Sequence, residues 1–149
     1  MLRHPSLIPL SHHHQHGLAL CVIVERGLAA DRSPENTSSL ATKISDMFEL
    51  ELRNHFDLEE RILFPSIRDT MGEHPLVEEL LKDHRALEAL VQRLTTPEDL
   101  LAFTRRREPH IRREERELFE DIQKRLPPDT LEQLGQSLAR DPFQVCLEP

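Results

Sequence analysis

A thirteen-residue pattern that occurs twice, at residues 55–67 and 110–122, constrains the fold of this chain more than any other feature. The two copies align without a gap and share one histidine, two glutamates, one arginine, one leucine, one phenylalanine and one isoleucine. In each copy a glutamate follows the histidine four residues later, a spacing that places both side chains on the same face of a helix. These pairs are His55 with Glu59 and His110 with Glu114. The repeat therefore predicts two equivalent helices that present matching polar pairs.

Apolar residues recur at helical spacing through most of the chain, which has no tryptophan, no tyrosine and only four glycines. This composition favours helices over strands. The periodicity predicts four long helices and a short fifth one, at residues 10–28, 40–67, 75–94, 97–126 and 131–139. We therefore predict an all-α protein, an up-down four-helix bundle with a short additional C-terminal helix.

The length of 149 residues fits a single domain. We expect an N-terminal extension at residues 1–9, the helical bundle at 10–126, and a short C-terminal helix and tail at 127–149. Two prolines lie inside the predicted helices. We expect Pro65 to kink or end the second helix and Pro109 to kink or break the fourth, because proline lacks an amide donor and crowds the preceding turn.

The formal net charge of −8 argues against nucleic acid and membranes as partners, because both are recognised through basic surfaces. The two cysteines, Cys21 and Cys146, lie far apart, so neither a disulfide framework nor a thiolate metal site is expected. Cys21 falls on the apolar side of the first helix and should act as a small apolar residue. The first ten residues lack the apolar core of a signal peptide, and no apolar run has transmembrane length. We therefore expect a cytoplasmic protein.

A metal site is the chemistry that the repeat predicts. Each copy is preceded by a helix with its own histidine, His84 before the second copy and the cluster at residues 12–16 before the first. Imidazole and carboxylate donors without thiolates suit iron or manganese better than a structural zinc site. Buried glutamates at equivalent positions would also be uncompensated unless a cation joined them. A ferritin-like site is not expected, because the chain has no Glu-x-x-His pair.

The order His, His-x-x-x-Glu, His, His-x-x-x-Glu-Glu over residues 9–126 resembles the hemerythrin-like HHE cation-binding family. Residues 9–18 resemble the opening of its bacterial branch. The resemblance implies a hemerythrin-like bundle that holds two iron ions, oxo- or hydroxo-bridged, with zinc or manganese as alternative metals. It also implies six ligands, two histidines for each ion and two bridging glutamates: His14 and His55, His84 and His110, and Glu59 and Glu114.

Two other histidines of the first helix compete with His14 as the ligand. Aligning His14 with His84 brings the apolar residues of the two helices into register, so we prefer His14, followed by His16 and then His13. In the bacterial branch an acidic residue precedes the histidine cluster. His13 stands at that place in this chain.

The chain departs from the oxygen-carrying hemerythrins, which have a second histidine one turn after the first on the third helix. Here that place holds Glu88, while Glu115 stands where the carriers have an aspartate. Glu60 and Glu115 are expected at the surface or behind the ligands. The resemblance thus implies a protein that senses, stores or reacts with iron, oxygen or a related oxidant such as peroxide or nitric oxide. The alternative is an interaction module whose bundle is stabilised by a structural zinc or iron without a redox role.

Overall fold

The protein is described here by a computed structural model that covers residues 2–140. About 88% of these residues are helical and none is in a strand, which confirms the predicted all-α class. The five helices are α1 (Ile8–Ala30), α2 (34–71), α3 (Pro75–Val91), α4 (97–125) and α5 (Pro128–Arg140), and a 3₁₀ turn, Pro5–Leu7, precedes α1. Cys146 lies outside the described residues. No described helix combines the length and the apolar character needed to cross a membrane.

Helices α2 and α4 contain π-helical turns, in which backbone hydrogen bonds join residues five apart instead of the four of an α-helix. Helix α2 consists of Pro34–Met47, the π turn Phe48–Leu52, Arg53–Leu58, the π turn Glu59–Leu63, and Phe64–Met71. Helix α4 consists of Pro97–Arg113, the π turn Glu114–Leu118, and Phe119–Arg125. Each π turn closes with an amide that bonds a carbonyl five residues earlier, as from Phe64 to Glu59 and from Phe119 to Glu114.

Helix α2 begins at Pro34 rather than at the predicted Leu40. The Ser33 hydroxyl caps the helix by accepting a hydrogen bond from the Asn36 amide, and Pro34 occupies the first turn, where no amide donor is needed. Thr37 is buried against the core despite its weak helix propensity. Capping and packing therefore extend the helix through a stretch that its polar composition marked as a loop.

Neither internal proline ends its helix. Of the kink or end expected at Pro65 and the kink or break expected at Pro109, the end and the break are therefore wrong. The π turn Glu59–Leu63 shifts the hydrogen-bond register just before Pro65, and α2 continues to Met71. Helix α4 continues through Pro109 to Arg113. It packs against both α1 and α3, and that packing offsets the hydrogen bond that the proline removes.

Two apolar clusters form the core, and every long helix passes from one to the other. The first cluster gathers side chains near the start of α1 and from α5, including Leu7, Leu10 and Leu134. The second gathers side chains from the later part of α1 and the first part of α2, including Val24 and Ile44. Between them each of the four long helices contributes one of the predicted histidine ligands, so a polar layer separates the two clusters.

The residues that precede α1 form hydrogen bonds with α4. Arg3 donates hydrogen bonds to the Gln123 side chain and to Glu115, and the His4 amide donates to the same glutamine at 2.7 Å. A Cβ at Gly135 would lie only 2.7 Å from Ser6 Cβ, so glycine lets α5 approach the N-terminal segment closely. The N-terminal segment and α5 therefore close the same end of the molecule.

Candidate metal centre

The structure brings the six predicted site residues together in the polar layer. They form two groups of four that share both glutamates, and within each group the donor atoms all lie within 4.8 Å of one another. One group is His14, His55, Glu59 and Glu114, and the other is Glu59, His84, His110 and Glu114. Every member is 0% or 1% exposed. Two adjacent sites with shared carboxylates are the arrangement expected for a pair of cations.

The imidazole Nε2 atoms point at the shared carboxylates from four helices. On the first side, His14 Nε2 and His55 Nε2 are 3.1 Å apart, and His55 Nε2 is 3.3 Å from Glu59. On the second side, His84 Nε2 is 3.1 Å from Glu59. His110 Nε2 is 2.8 Å from Glu114. Glu59 therefore contacts a histidine of each group. Glu114 lies between His110, at 2.8 Å, and His14, at 3.8 Å.

The inner atoms lack the hydrogen bonds that buried polar groups normally make. All four carboxylate oxygens of Glu59 and Glu114, together with Nε2 of His84 and of His110, are buried without a hydrogen-bond partner among the described residues. Burial would raise the pKa of Glu59, but the attraction of His55 and His84 holds that pKa well below its ordinary value. An ionised carboxylate that is buried without a hydrogen bond is costly unless a cation sits beside it, and this set of donor atoms fits a cation.

The outer nitrogens of three histidines are each held by a carboxylate. His14 Nδ1 lies 2.6 Å from Glu115, and His84 Nδ1 lies 2.7 Å from Glu60. The third contact joins His110 Nδ1 to Asp83 at 3.0 Å. A carboxylate behind a histidine keeps the proton on Nδ1 and leaves Nε2 free to bind a metal.

A family model described as the hemerythrin HHE cation binding domain matches residues 9–122. The chain belongs to this family. Neither the search of curated proteins nor the search of solved structures returned a match. As a hemerythrin HHE domain the chain is a metal-cation-binding protein, and its two histidine and glutamate groups could hold the metal.

The π turns let consecutive glutamates of this hemerythrin domain reach the same histidine. Glu59 and Glu60 contact opposite ring nitrogens of His84. Glu114 and Glu115 approach His14 in the same way, at 3.8 Å and 2.6 Å. In an α-helix neighbouring side chains diverge by about 100°, whereas the wider π turn reduces that angle. Glu60 and Glu115 thus lie behind the ligands, as expected.

His55 differs from the other three histidines because another histidine stands behind it. His55 Nδ1 and His13 Nδ1 are 2.9 Å apart. Burial, followed by the nearby charge of His55, lowers the pKa of His13 to about 2, so His13 is neutral. If a metal ion binds Nε2 of His55, the proton of the His55 ring must lie on Nδ1. This Nδ1–H group then donates a hydrogen bond to His13. His13 therefore stands behind His55 and is not itself in either group of donors.

The structure places the other histidine alternatives and Glu88 away from the centre. His16 is about half exposed, and its Nδ1 lies 2.8 Å from Glu51. Glu88 pairs with Arg85 at 2.9 Å on the outside of α3. Of the histidines considered on α1, His14 is the one whose donor atom lies within a group. Cys21 is 1% exposed, which confirms its role as a small core residue.

Sequence reasoning did not identify Asp83 or Arg107 as parts of the site. Asp83 directly precedes His84 but contacts His110 on another helix. Arg107 lies three residues before His110, which puts both on one face of α4, and it is 3% exposed. The spacing between Arg107 and His110 could have predicted that Arg107 lies near the site. The contact of Asp83 could not be predicted, because it depends on how α3 and α4 pack.

Proposed function

We propose that this hemerythrin domain is a di-iron protein that senses, stores or reacts with oxygen or a related small oxidant. One ion would be held by His14 and His55 and the other by His84 and His110, with Glu59 and Glu114 as bridges. We also propose that the four long helices form the up-down bundle of the family, spanning residues 10–126, and that α5 is the additional helix.

The observation that carries this proposal is the pair of donor groups that share two buried carboxylates. Two imidazoles with carboxylate oxygens, and no thiolate, form a donor set typical of non-haem iron. Manganese would accept the same donors, whereas structural zinc more often recruits cysteine. When bound, an iron pair would supply electrons and exchangeable coordination positions for a small oxidant.

The surrounding residues would orient the histidines and exclude water. Phe56 stacks on His84 with ring centroids 3.8 Å apart, and Phe119 stacks on His14 at 5.5 Å. These two rings fix the planes of the imidazoles that they stack on, while the outer carboxylates hold a proton on Nδ1 of His14, His84 and His110. The thiol of Cys21 is buried, and burial raises its pKa to about 11, which leaves it unreactive beside the site. We also propose a cytoplasmic location for the protein.

One observation favours a second candidate, a structural metal site within an interaction module. All six ligands are buried, and a closed site that is filled by protein donors stabilises a fold without chemistry. A structural site should not respond to oxidant. The two functions therefore differ in a property that can be measured.

The test is elemental analysis of untagged protein purified without chelator, combined with absorption spectra of the reduced protein before and after air is admitted. We expect about two irons per chain and a new near-ultraviolet absorption band in air. Zinc alone, or iron with no spectral change, would favour the structural module. Protein without bound metal would contradict both.

A further inference from the structure

A small cavity lies beside His55, and none of the three outer carboxylates lines it. Its polar lining comes from His13, Glu51, His55 and Arg107, and its other walls are apolar side chains of α1, α2 and α4. The cavity volume is about 10 Å³, about the space that one water molecule needs. We call it the Arg107 cavity.

Arg107 brings a buried positive charge to this cavity without a bonded partner. Its side chain is 3% exposed, and its Nη1 atom has no hydrogen-bond partner within residues 2–140. The guanidinium carbon lies 5.7 Å from the centre of the Phe56 ring, which supplies part of the stabilisation. Burial lowers the pKa of Arg107 to about 10, so the group remains cationic at neutral pH. A buried cation in this state favours an anionic neighbour.

The position of the guanidinium is built into the fold by Gly17. A Cβ at this glycine would lie 3.2 Å from Nη2 and 3.3 Å from Nε of Arg107. Glycine inside a helix lowers the stability of that helix relative to alanine. Glycine at this position therefore leaves room both for the guanidinium and for Ile111, whose Cδ1 atom would lie 3.0 Å from the same Cβ.

The charges around the cavity differ from those around the rest of the centre. His14, His84 and His110 each have a carboxylate behind them, whereas the neutral His13 stands behind His55. Glu51 is the one acid in the lining, and both of its oxygens lie within hydrogen-bond distance of His16, at 3.1 and 2.8 Å. A cation bound by His14 and His55 would add positive potential on this side.

We propose that the Arg107 cavity is a binding site for a monovalent anion of a single heavy atom. The Arg107 guanidinium donates to the anion, and the cavity excludes larger anions. Its role, to hold an anionic reactant or counter-ion beside the ion on His14 and His55, rests on the proposed function. Binding itself requires only the cavity and the guanidinium.

The test is a titration of zinc-loaded and metal-free protein with sodium bromide, with ionic strength kept constant by sodium gluconate. Zinc is diamagnetic and redox-inert, so the ¹⁵N–¹H signal of the Arg107 Nε group can be followed directly by NMR. We expect a saturable shift of that signal and little change at Arg105, which is exposed on the same helix. Nitrite, which has three heavy atoms, should bind at least about tenfold more weakly than bromide.

Two variants separate the cavity from direct binding to metal. Arg107→Gln should weaken bromide binding by about tenfold or more, because a charge-assisted hydrogen bond is lost. Since this variant lacks the Arg107 signal, the backbone amide of Gly17 in the cavity wall reports its binding. Arg105→Gln is the matched control and should not change the affinity. Gly17→Ala, which crowds the guanidinium, should also weaken binding. The wild-type signal gives a result even if Arg107→Gln fails to fold.

The outcomes distinguish this inference from the proposed function. An unshifted Arg107 signal, or an equal affinity in Arg107→Gln, overturns the anion site, and water is then the occupant of the cavity. Equal affinity for nitrite also overturns it, because an open surface would show no size limit. If the protein fails to take up metal and the Arg107 signal still shifts with bromide, the anion site is supported. The failure to take up metal then contradicts the proposed function.

Discussion

His55 and His110 occupy equivalent positions in the two copies of the repeat, yet the groups behind them differ. His110 Nδ1 contacts Asp83 at 3.0 Å, whereas His55 Nδ1 contacts His13 at 2.9 Å. Asp83 and His13 are themselves equivalent, since each directly precedes a histidine of the centre in the sequence. The two halves of the centre thus agree in their inner donors and differ in one outer residue.

This difference teaches that a repeat can fix the ligands of a site while leaving its electrostatics asymmetric. A carboxylate behind a metal-bound histidine increases the basicity of the ring, and a neutral imidazole does so less. We therefore expect the His14–His55 side to bind its ion less tightly than the His84–His110 side.

The largest expected effect tests what the two halves share. Glu59→Ala and Glu114→Ala should each weaken metal binding by more than about 100-fold, because each loss affects both ions and exceeds the loss of an outer residue. The metal-to-protein ratio and the Tm of the loaded protein check this. Glu117→Ala, an exposed position in the same π turn as Glu114, is the control. Full metal content in both glutamate variants would disprove the bridging assignment.

Acidification of the metal-free protein should give the next largest effect. Burial is the main cause that lowers the pKa of His55 and of His110 from 6.5 to about 4, and burial also lowers the pKa of His13 and His14. The unfolded chain therefore takes up protons below pH 6.5 that the folded chain does not, and stability falls as the pH falls toward 4. His55 and His110 each contribute up to about 3 kcal/mol to this loss.

One histidine opposes this trend. Burial would lower the pKa of His84, but Glu59 and Glu60 raise it, so His84 gains stability on acidification. Since four lowered pKa values face one raised value, the net change is destabilising. Denaturant unfolding at pH 7 and pH 5 checks the sign. His13→Gln should reduce the acid sensitivity and Asp83→Asn should not, and equal sensitivities in the two variants would contradict this account.

The third prediction concerns the asymmetry directly. Asp83→Asn should weaken metal binding by roughly 10- to 100-fold, the usual effect of removing a carboxylate behind a histidine ligand. His13→Gln should weaken it by less than about tenfold, because a neutral acceptor replaces a neutral acceptor. Competition with a chelator measures both affinities. A larger loss in His13→Gln would reverse the proposed order of the two sides.

The smallest expected difference lies between Glu60→Gln and Glu115→Gln. Both residues are equivalent in the repeat and contact a histidine Nδ1, at 2.7 and 2.6 Å. Their losses in affinity should agree within about threefold, since the same interaction is removed from each half. The same chelator competition applies. A tenfold gap would show that the asymmetry extends beyond Asp83 and His13.

Local spacing was enough to predict that His55 and Glu59, and likewise His110 and Glu114, lie on one helix face, because the four-residue separation depends only on helix geometry. The start of α2 could not be predicted in the same way, because the burial of Thr37 is a tertiary effect that overrides propensity. Asp83 was missed because its partner lies on another helix. Contacts of that kind depend on packing, which the hydrophobic period does not specify.

The π turns Glu59–Leu63 and Glu114–Leu118 begin at the same position in both copies of the repeat. A π turn is an α-helical turn with one residue inserted, and it is rare because its hydrogen bonds are less favourable. The ungapped alignment means that both copies contain this inserted residue. Deleting one residue from a single copy would therefore be expected to remove the π turn from that helix alone and to leave the other copy unchanged.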